Sequence, residues 1–140
     1  MKPAPARSPE RIELDLPADL RYLHIVGACV QELLGHDPAQ HVLRHEVEVA
    51  LHEVCVNIVM HAYGGAQGRL DVVLSNDGVE LVAQLRDRGK AFDPAAVKPP
   101  DLDQGQVHGY GMFMAHALLD EVTYTRTDGV NHWRLTKRWT

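Results

Sequence analysis

Glu53-Val54-Cys55-Val56-Asn57-Ile58-Val59-Met60-His61-Ala62-Tyr63 closes a long apolar-rich run that follows His36-Asp37-Pro38. Asp37 suits a helix cap and Pro38 a first turn. The run therefore reads as a helix that starts near Pro38, reaches about His61 and stops before Gly64-Gly65. Its apolar members include Val42, Leu43, Val47, Val49, Leu51, Val54, Val56, Ile58 and Val59, too many for one stripe. A helix that is apolar on several faces is largely buried. Within it Glu53, Asn57 and His61 stand at i, i+4 and i+8, a row with about 6 Å of rise per step. Buried polar groups need partners. Either neighbouring loops and solvent supply them, or the row faces a pocket. In a pocket, a carboxylate accepts a proton and an amide oxygen ligates a hard cation such as Mg²⁺.

Outward from this helix the period changes. Toward the N-terminus, Leu20, Leu23, Val26, Val30 and Leu33 recur every three or four residues, which predicts an amphipathic helix from Asp19 to about Leu34 with Gly35 as its stop. Before it, Arg11 to Leu16 alternates polar and apolar, as a half-buried strand does, and ends at Pro17. Residues 1–9 hold three prolines and few apolar side chains and read as a flexible tail. Toward the C-terminus, Arg69–Leu74 and Val79–Asp87 alternate in period two around Asn76-Asp77-Gly78, a hairpin. A segment without periodicity, from Gly89 to His108, comes next; loops that long inside small domains are usually functional. A helix is expected near Gly111–Leu119, then strands over Glu121–Arg126 and Val130–Lys137 joined through Asp128-Gly129. About five strands, chiefly antiparallel, and three helices make the economical architecture an α/β two-layer sandwich with the helices on one face of the sheet. Residues 10–140 then form a single domain.

Composition narrows the function. The 140 residues are 45% hydrophobic and 24% charged, a globular balance. Fourteen Lys and Arg against nineteen Asp and Glu give a formal charge of −5, the wrong sign for binding phosphate backbones, so no nucleic acid partner is expected. No apolar run approaches the roughly 18 residues of a membrane helix, and Met1 to Arg11 lacks the apolar stretch of a secretory signal. A cytoplasmic protein without a membrane partner is expected. Cys29 and Cys55, both inside helical apolar patterns, read as reduced, buried thiols.

Two further constellations bear on chemistry. At Asp87-Arg88-Gly89 a strand stops at an aspartate and a glycine. This is either an ordinary strand end or the floor of a ligand site, with a carboxylate accepting from an exocyclic amine beside a backbone that leaves room for a flat ring. Gly109-Tyr110-Gly111 directly precedes a helix, where backbone N–H groups and the positive end of the helix dipole suit an anion. Other signals fail. Met114 stands where a dinucleotide fingerprint needs a small residue, and neither a P-loop motif nor a GxSxG serine is present. His41 and His45 share a helix face, but His52 lies about 10 Å further along, beyond one ion.

Taken in order, E-V-C-V-N-I-V-M-H-A-Y (Glu53 to Tyr63), D-R-G-K-A-F-D-P (Asp87 to Pro94) and H-G-Y-G-M-F-M (His108 to Met114) resemble the motifs of the GHKL, or Bergerat, ATP-binding fold. The resemblance is closest to the small anti-sigma-factor serine-protein kinases of bacterial partner-switching systems. It covers nearly the whole chain from residue 10. It implies that Asn57 holds Mg²⁺ against the phosphates of ATP or ADP, with His61 in the same site, and that Glu53 is the catalytic general base toward an incoming serine hydroxyl. Asp87 would accept from the adenine amino group, with Gly89, Ala91 and Phe92 beside it. Residues 89–108 would form the ATP lid, and Gly109, Tyr110, Gly111 and Met112 would bring backbone amides to the phosphates. The implied partners are an antagonist protein that carries the acceptor serine and a sigma factor or equivalent regulator; a homodimer is compatible with it. Alternatives are a non-catalytic nucleotide-holding binding module or a detached histidine-kinase catalytic domain. Ala91 replaces the second glycine of the family's D-x-G-x-G, and no arginine lies between Gly89 and His108. A cationic contact to the terminal phosphate therefore falls to Lys90, Lys98 or a residue elsewhere.

Overall fold

A computed structural model describes residues 10–96 and 110–139. Strands β1 (Glu10–Pro17), β2 (Arg69–Asn76), β3 (Glu80–Asp87), β4 (Glu121–Thr127) and β5 (Val130–Arg138) form one antiparallel sheet in the order β1-β2-β3-β5-β4. Helices α1 (Leu23–Leu34), α2 (His41–Asn57) and α3 (Gly111–Leu118) are the three α-helices among the described residues. The expected two-layer sandwich is the observed one. Leu70, Val72 and Leu74 of β2, Leu81, Ala83 and Leu85 of β3, and Trp133 and Leu135 of β5 are buried at alternate positions, so each strand turns one side to the helices. Against them pack Val26 and Val30 of α1, Val47, Leu51 and Val54 of α2 and Ala115 of α3. Each such fully buried Leu or Val stabilises the fold by about 1.5–3 kcal/mol relative to exposure.

Local signals act as their chemistry requires. Asp37 Oδ1 accepts from the Ala39 amide at 3.0 Å at the start of the turn Pro38–Gln40 that leads into α2. In the β2–β3 turn, Asn76 Oδ1 takes the Gly78 amide and Asp77 Oδ1 takes those of Val79 and Glu80. Asp128 and Gly129 both have positive φ, the handedness that matches a tight hairpin to the twist of β4 and β5. Cys29 and Cys55 are free thiols, and burial pushes the Cys55 thiol up to about 12, which makes it inert at neutral pH.

One boundary differs from the sequence reading. The helix expected to continue to about His61 leaves α-geometry at Asn57, and Ile58–Ala62 forms a π-turn in which the Tyr63 amide donates to the Ile58 carbonyl at 3.0 Å. Such widened turns recur at functional sites. Its last carbonyl, on Ala62, accepts from the Lys90 amide at 2.7 Å, so the end of the helix is bonded to the chain that leaves β3. The expected tail at residues 1–9, the part of the expected 89–108 lid beyond residue 96, and Gly109 lie outside the described residues.

Candidate functional site

Three sequence-distant motifs meet at the end of α2. From one side comes α3: a Cβ at Gly111 would overlap Glu53 Oε2, so the absence of a side chain there is what admits the Glu53 carboxylate beside the first residue of α3. From the other side comes the segment after β3. A Cβ at Gly89 would stand 2.5 Å from the carbonyl carbon and oxygen of Ala62. Gly89 is thus required by close approach to the helix end, a stronger constraint than the flat floor expected of it. Asn57 lies one turn beyond Glu53, half-buried. His61, inside the π-turn, is exposed and no longer at the α-helical azimuth of the row.

Tyr63, the last residue of the first motif, fixes this junction. Its hydroxyl donates to the Arg69 carbonyl at 2.6 Å and accepts from the Arg88 amide at 2.8 Å, joining the start of β2 to the end of β3. Between those anchors lies Asp87, 2% exposed. Its Oδ1 accepts from the Gly89 amide at 2.9 Å and from Asn131 Nδ2 at 2.8 Å, whereas its buried Oδ2 has no hydrogen-bond partner. Burial pushes the carboxyl above its ordinary value; hydrogen bonds from Asn131 and Gly89 and the charges of Arg126 and His132 pull it partly back. An orphaned carboxylate oxygen, held rigid by bonds to its twin, is an acceptor waiting for a donor.

Asn131 is the site residue that the motifs did not reveal. It lies opposite Asp87 in the β3–β5 register, 1% exposed. A signal was available: Asn131, Trp133 and Leu135 share the inner face of β5, and an amide in an otherwise apolar set asks for a partner. Phe92 packs edge-on against Tyr124 and Trp133, with centroids 5.5 and 4.8 Å away, and its amide donates to the Tyr124 hydroxyl at 2.9 Å. Its ring is thus part of an aromatic cluster that anchors the root of the 89–96 segment. Ala91 is exposed and free of positive φ, so the position does not need glycine. Tyr110 is half-buried at the entry to α3, and the Met112 side chain is buried in the core, which leaves its backbone as the group available to a ligand. Gly109 lies outside the described residues.

The donor set fits a purine nucleotide with Mg²⁺. The unpartnered Asp87 Oδ2 suits an exocyclic amine, and the Asn57 amide oxygen is a hard ligand of the kind Mg²⁺ takes, alongside phosphates and water. Among the described residues no group of three or more His, Cys, Asp and Glu is placed to hold a metal. No helix of the described residues is long and apolar enough to cross a membrane.

Comparison with known proteins bears on the fold and the family. Serine-protein kinase RsbW of Bacillus cereus (strain G9842) is 27% identical over 131 residues, spanning 86% of this chain and 81% of the relative. Serine-protein kinase RsbW of Halalkalibacterium halodurans is 29% identical over 135 residues, 87% of this chain and 80% of the relative. In a crystal structure of the RsbU and RsbW domains of Rv1364c from Mycobacterium tuberculosis, the match has a TM-score of 0.60 at 24% identity. It covers 92% of this chain but 32% of that longer one, and shows a shared fold. The profile of the histidine kinase-like ATPase domain matches residues 16–137, nearly the whole described chain, and the protein belongs to that family.

Proposed function

We propose that this protein binds ATP with Mg²⁺ and transfers the γ-phosphoryl group to a serine of a small antagonist protein, and that in a second complex it sequesters a sigma factor or equivalent regulator. The observation that carries the nucleotide reading is the Asp87 carboxylate, buried, oriented through one oxygen and unpartnered at the other. Glu53 and Asn57 of α2 stand on the helix whose π-turn end is bonded to the same β3 exit, which supports reading them as the base and the metal ligand beside the purine acceptor. Mg²⁺, when bound, neutralises phosphate charge; phosphoryl transfer otherwise asks for positioning and exclusion of water. Glu53 has the role of taking the serine proton, and Gly111 leaves room for its carboxylate. The protein-kinase reading draws on the names of the relatives, and the partners on the motif resemblance.

The test is transfer from labelled ATP, with Mg²⁺, to a candidate antagonist, by wild type and by Glu53→Gln. Acid-stable label on the antagonist, lost in Glu53→Gln by about 10²–10⁴-fold with nucleotide binding retained, is the expected result. Nucleotide and partner binding without transfer by wild type would leave a non-catalytic module. Acid-labile label would indicate a histidine acceptor.

A further inference from the structure

A polar row crosses three neighbouring strands on the inner face of the sheet. Asp87 of β3 lies opposite Asn131 of β5, and Asn131 lies opposite Arg126 of β4. The amide of Asn131 is used at both ends. Its Nδ2 donates to Asp87 Oδ1 at 2.8 Å and to the Lys90 carbonyl at 2.9 Å, and its Oδ1 accepts from the Tyr124 hydroxyl and from Arg126 Nη1, the latter at 2.7 Å. Arg126 Nη1 also reaches the Gly89 carbonyl at 3.0 Å, and the Tyr124 hydroxyl accepts from the Phe92 amide.

Two consequences follow from this valence. An amide with two donors and two acceptor sites all engaged has nothing left for a ligand, so Asn131 holds other groups and does not itself read a base. Its flip is also determined: the reversed amide would set Nδ2 against the donor-only guanidinium of Arg126 and Oδ1 against a carboxylate and a carbonyl. The exposed Arg126, whose guanidinium is turned to two neutral oxygens of this row, therefore fixes the face that Asn131 shows to Asp87. Together the row and Tyr124 hold the carbonyls of Gly89 and Lys90 and the amide of Phe92.

We propose that Asn131 and Arg126 are positioning residues that couple recognition of the purine at Asp87 to the backbone of Gly89–Phe92, so that base specificity and the order of this stretch rise and fall together. The inference rests on the nucleotide reading of the site and adds to it the device that sets the specificity.

The test uses the full chain with Arg126→Ala and Arg126→Lys, two substitutions at one exposed position where folding is expected to survive. Calorimetric titration with Mg-ADP and Mg-IDP measures discrimination between an amine and a carbonyl at the same purine position. Amide hydrogen exchange measures the order of residues 89–92 in the free proteins. Loss of one charge-assisted bond to Asn131 should narrow the ADP:IDP affinity ratio by about tenfold in Arg126→Ala and speed exchange at Lys90 and Phe92 by a similar factor. Arg126→Lys, which keeps a donor, should recover part of both. A merely structural role would weaken both nucleotides alike and leave the ratio unmoved. Either readout remaining at its wild-type value in Arg126→Ala overturns the coupling. If wild type binds neither nucleotide, the site reading fails on that ground alone, and unchanged exchange in Arg126→Ala still overturns the tie between Arg126 and residues 89–92.

Discussion

Replacing Asp87 by asparagine keeps the shape of the side chain and changes one acceptor into a donor, and the surroundings decide which one. The position of Oδ1 faces two donors, the Gly89 amide and Asn131 Nδ2, so the new amide must put its oxygen there. Its NH₂ then occupies the place of Oδ2, the buried atom without a partner. An adenine amino group would meet a donor where it had met an ionised acceptor. Loss of a hydrogen bond to a charged group costs about 1.5–3 kcal/mol, or about 10- to 150-fold in affinity for Mg-ADP. The 6-carbonyl of inosine diphosphate gains a donor at the same place, so its affinity should rise relative to ADP. Calorimetric titration of wild type and Asp87→Asn with both nucleotides reads the two effects. An ADP affinity within twofold of wild type, or an equal loss for both bases, would refute the assignment of Oδ2 as the purine acceptor. The free protein offers a second readout. Because the folded-state carboxyl is raised above its ordinary 3.8, the folded chain binds more protons than the unfolded one between the two values. The stability due to this group falls as pH rises through that window. Thermal melts of Asp87→Asn should lose that part of the slope.

The glycines of the site separate packing from catalysis. Gly89→Ala drives a methyl group into the Ala62 backbone, which cannot yield, and should cost about 1–3 kcal/mol, seen as a fall of about 2–4 °C in Tm per kcal/mol; an unchanged Tm would remove the close approach. Gly111→Ala meets only the movable end of Glu53, so thermal stability should stay within about 1 kcal/mol while phosphoryl transfer drops about 10- to 100-fold; undiminished transfer would deny the Glu53 carboxylate its place in the reaction. Tyr63→Phe deprives the Arg88 amide and the Arg69 carbonyl of their partner and should lower the urea midpoint by an amount equivalent to about 1–2 kcal/mol, with nucleotide affinity reduced as Asp87 loosens; a wild-type midpoint would show that the hydroxyl is dispensable.

Much of the architecture was legible because its signals are local. The period-two runs over β1, β2 and β3 record which side chains face the helices, and the turn residues Asn76, Asp77, Asp128 and Gly129 act through bonds or dihedrals within a few residues of themselves. The π-turn was not legible, since Ile58-Val59-Met60-His61-Ala62 has a composition as compatible with an α-helix as with a widened turn. What accompanies the departure lies far away in sequence: Tyr63 bonds to Arg69 and Arg88, and Lys90 takes the carbonyl of Ala62.

The same distinction explains which site residues were found. Asp87 ends β3 and Gly111 begins α3, while Glu53 is a polar residue within the apolar-rich α2; each interrupts a local pattern and so draws notice. Asn131 interrupts a pattern too, yet its meaning depends on a register between strands 44 residues apart in sequence, and only the pairing of β5 between β3 and β4 puts an aspartate on one side of it and an arginine on the other. A buried amide whose four bonds are all satisfied also leaves no ligand-facing atom to mark it as functional. On the proposed reading, specificity at this site resides in two layers: a carboxylate that a motif can carry from one sequence to another, and a holder that the strand opposite must supply. Substitution of the holder would then retune base selectivity while every motif residue stays in place.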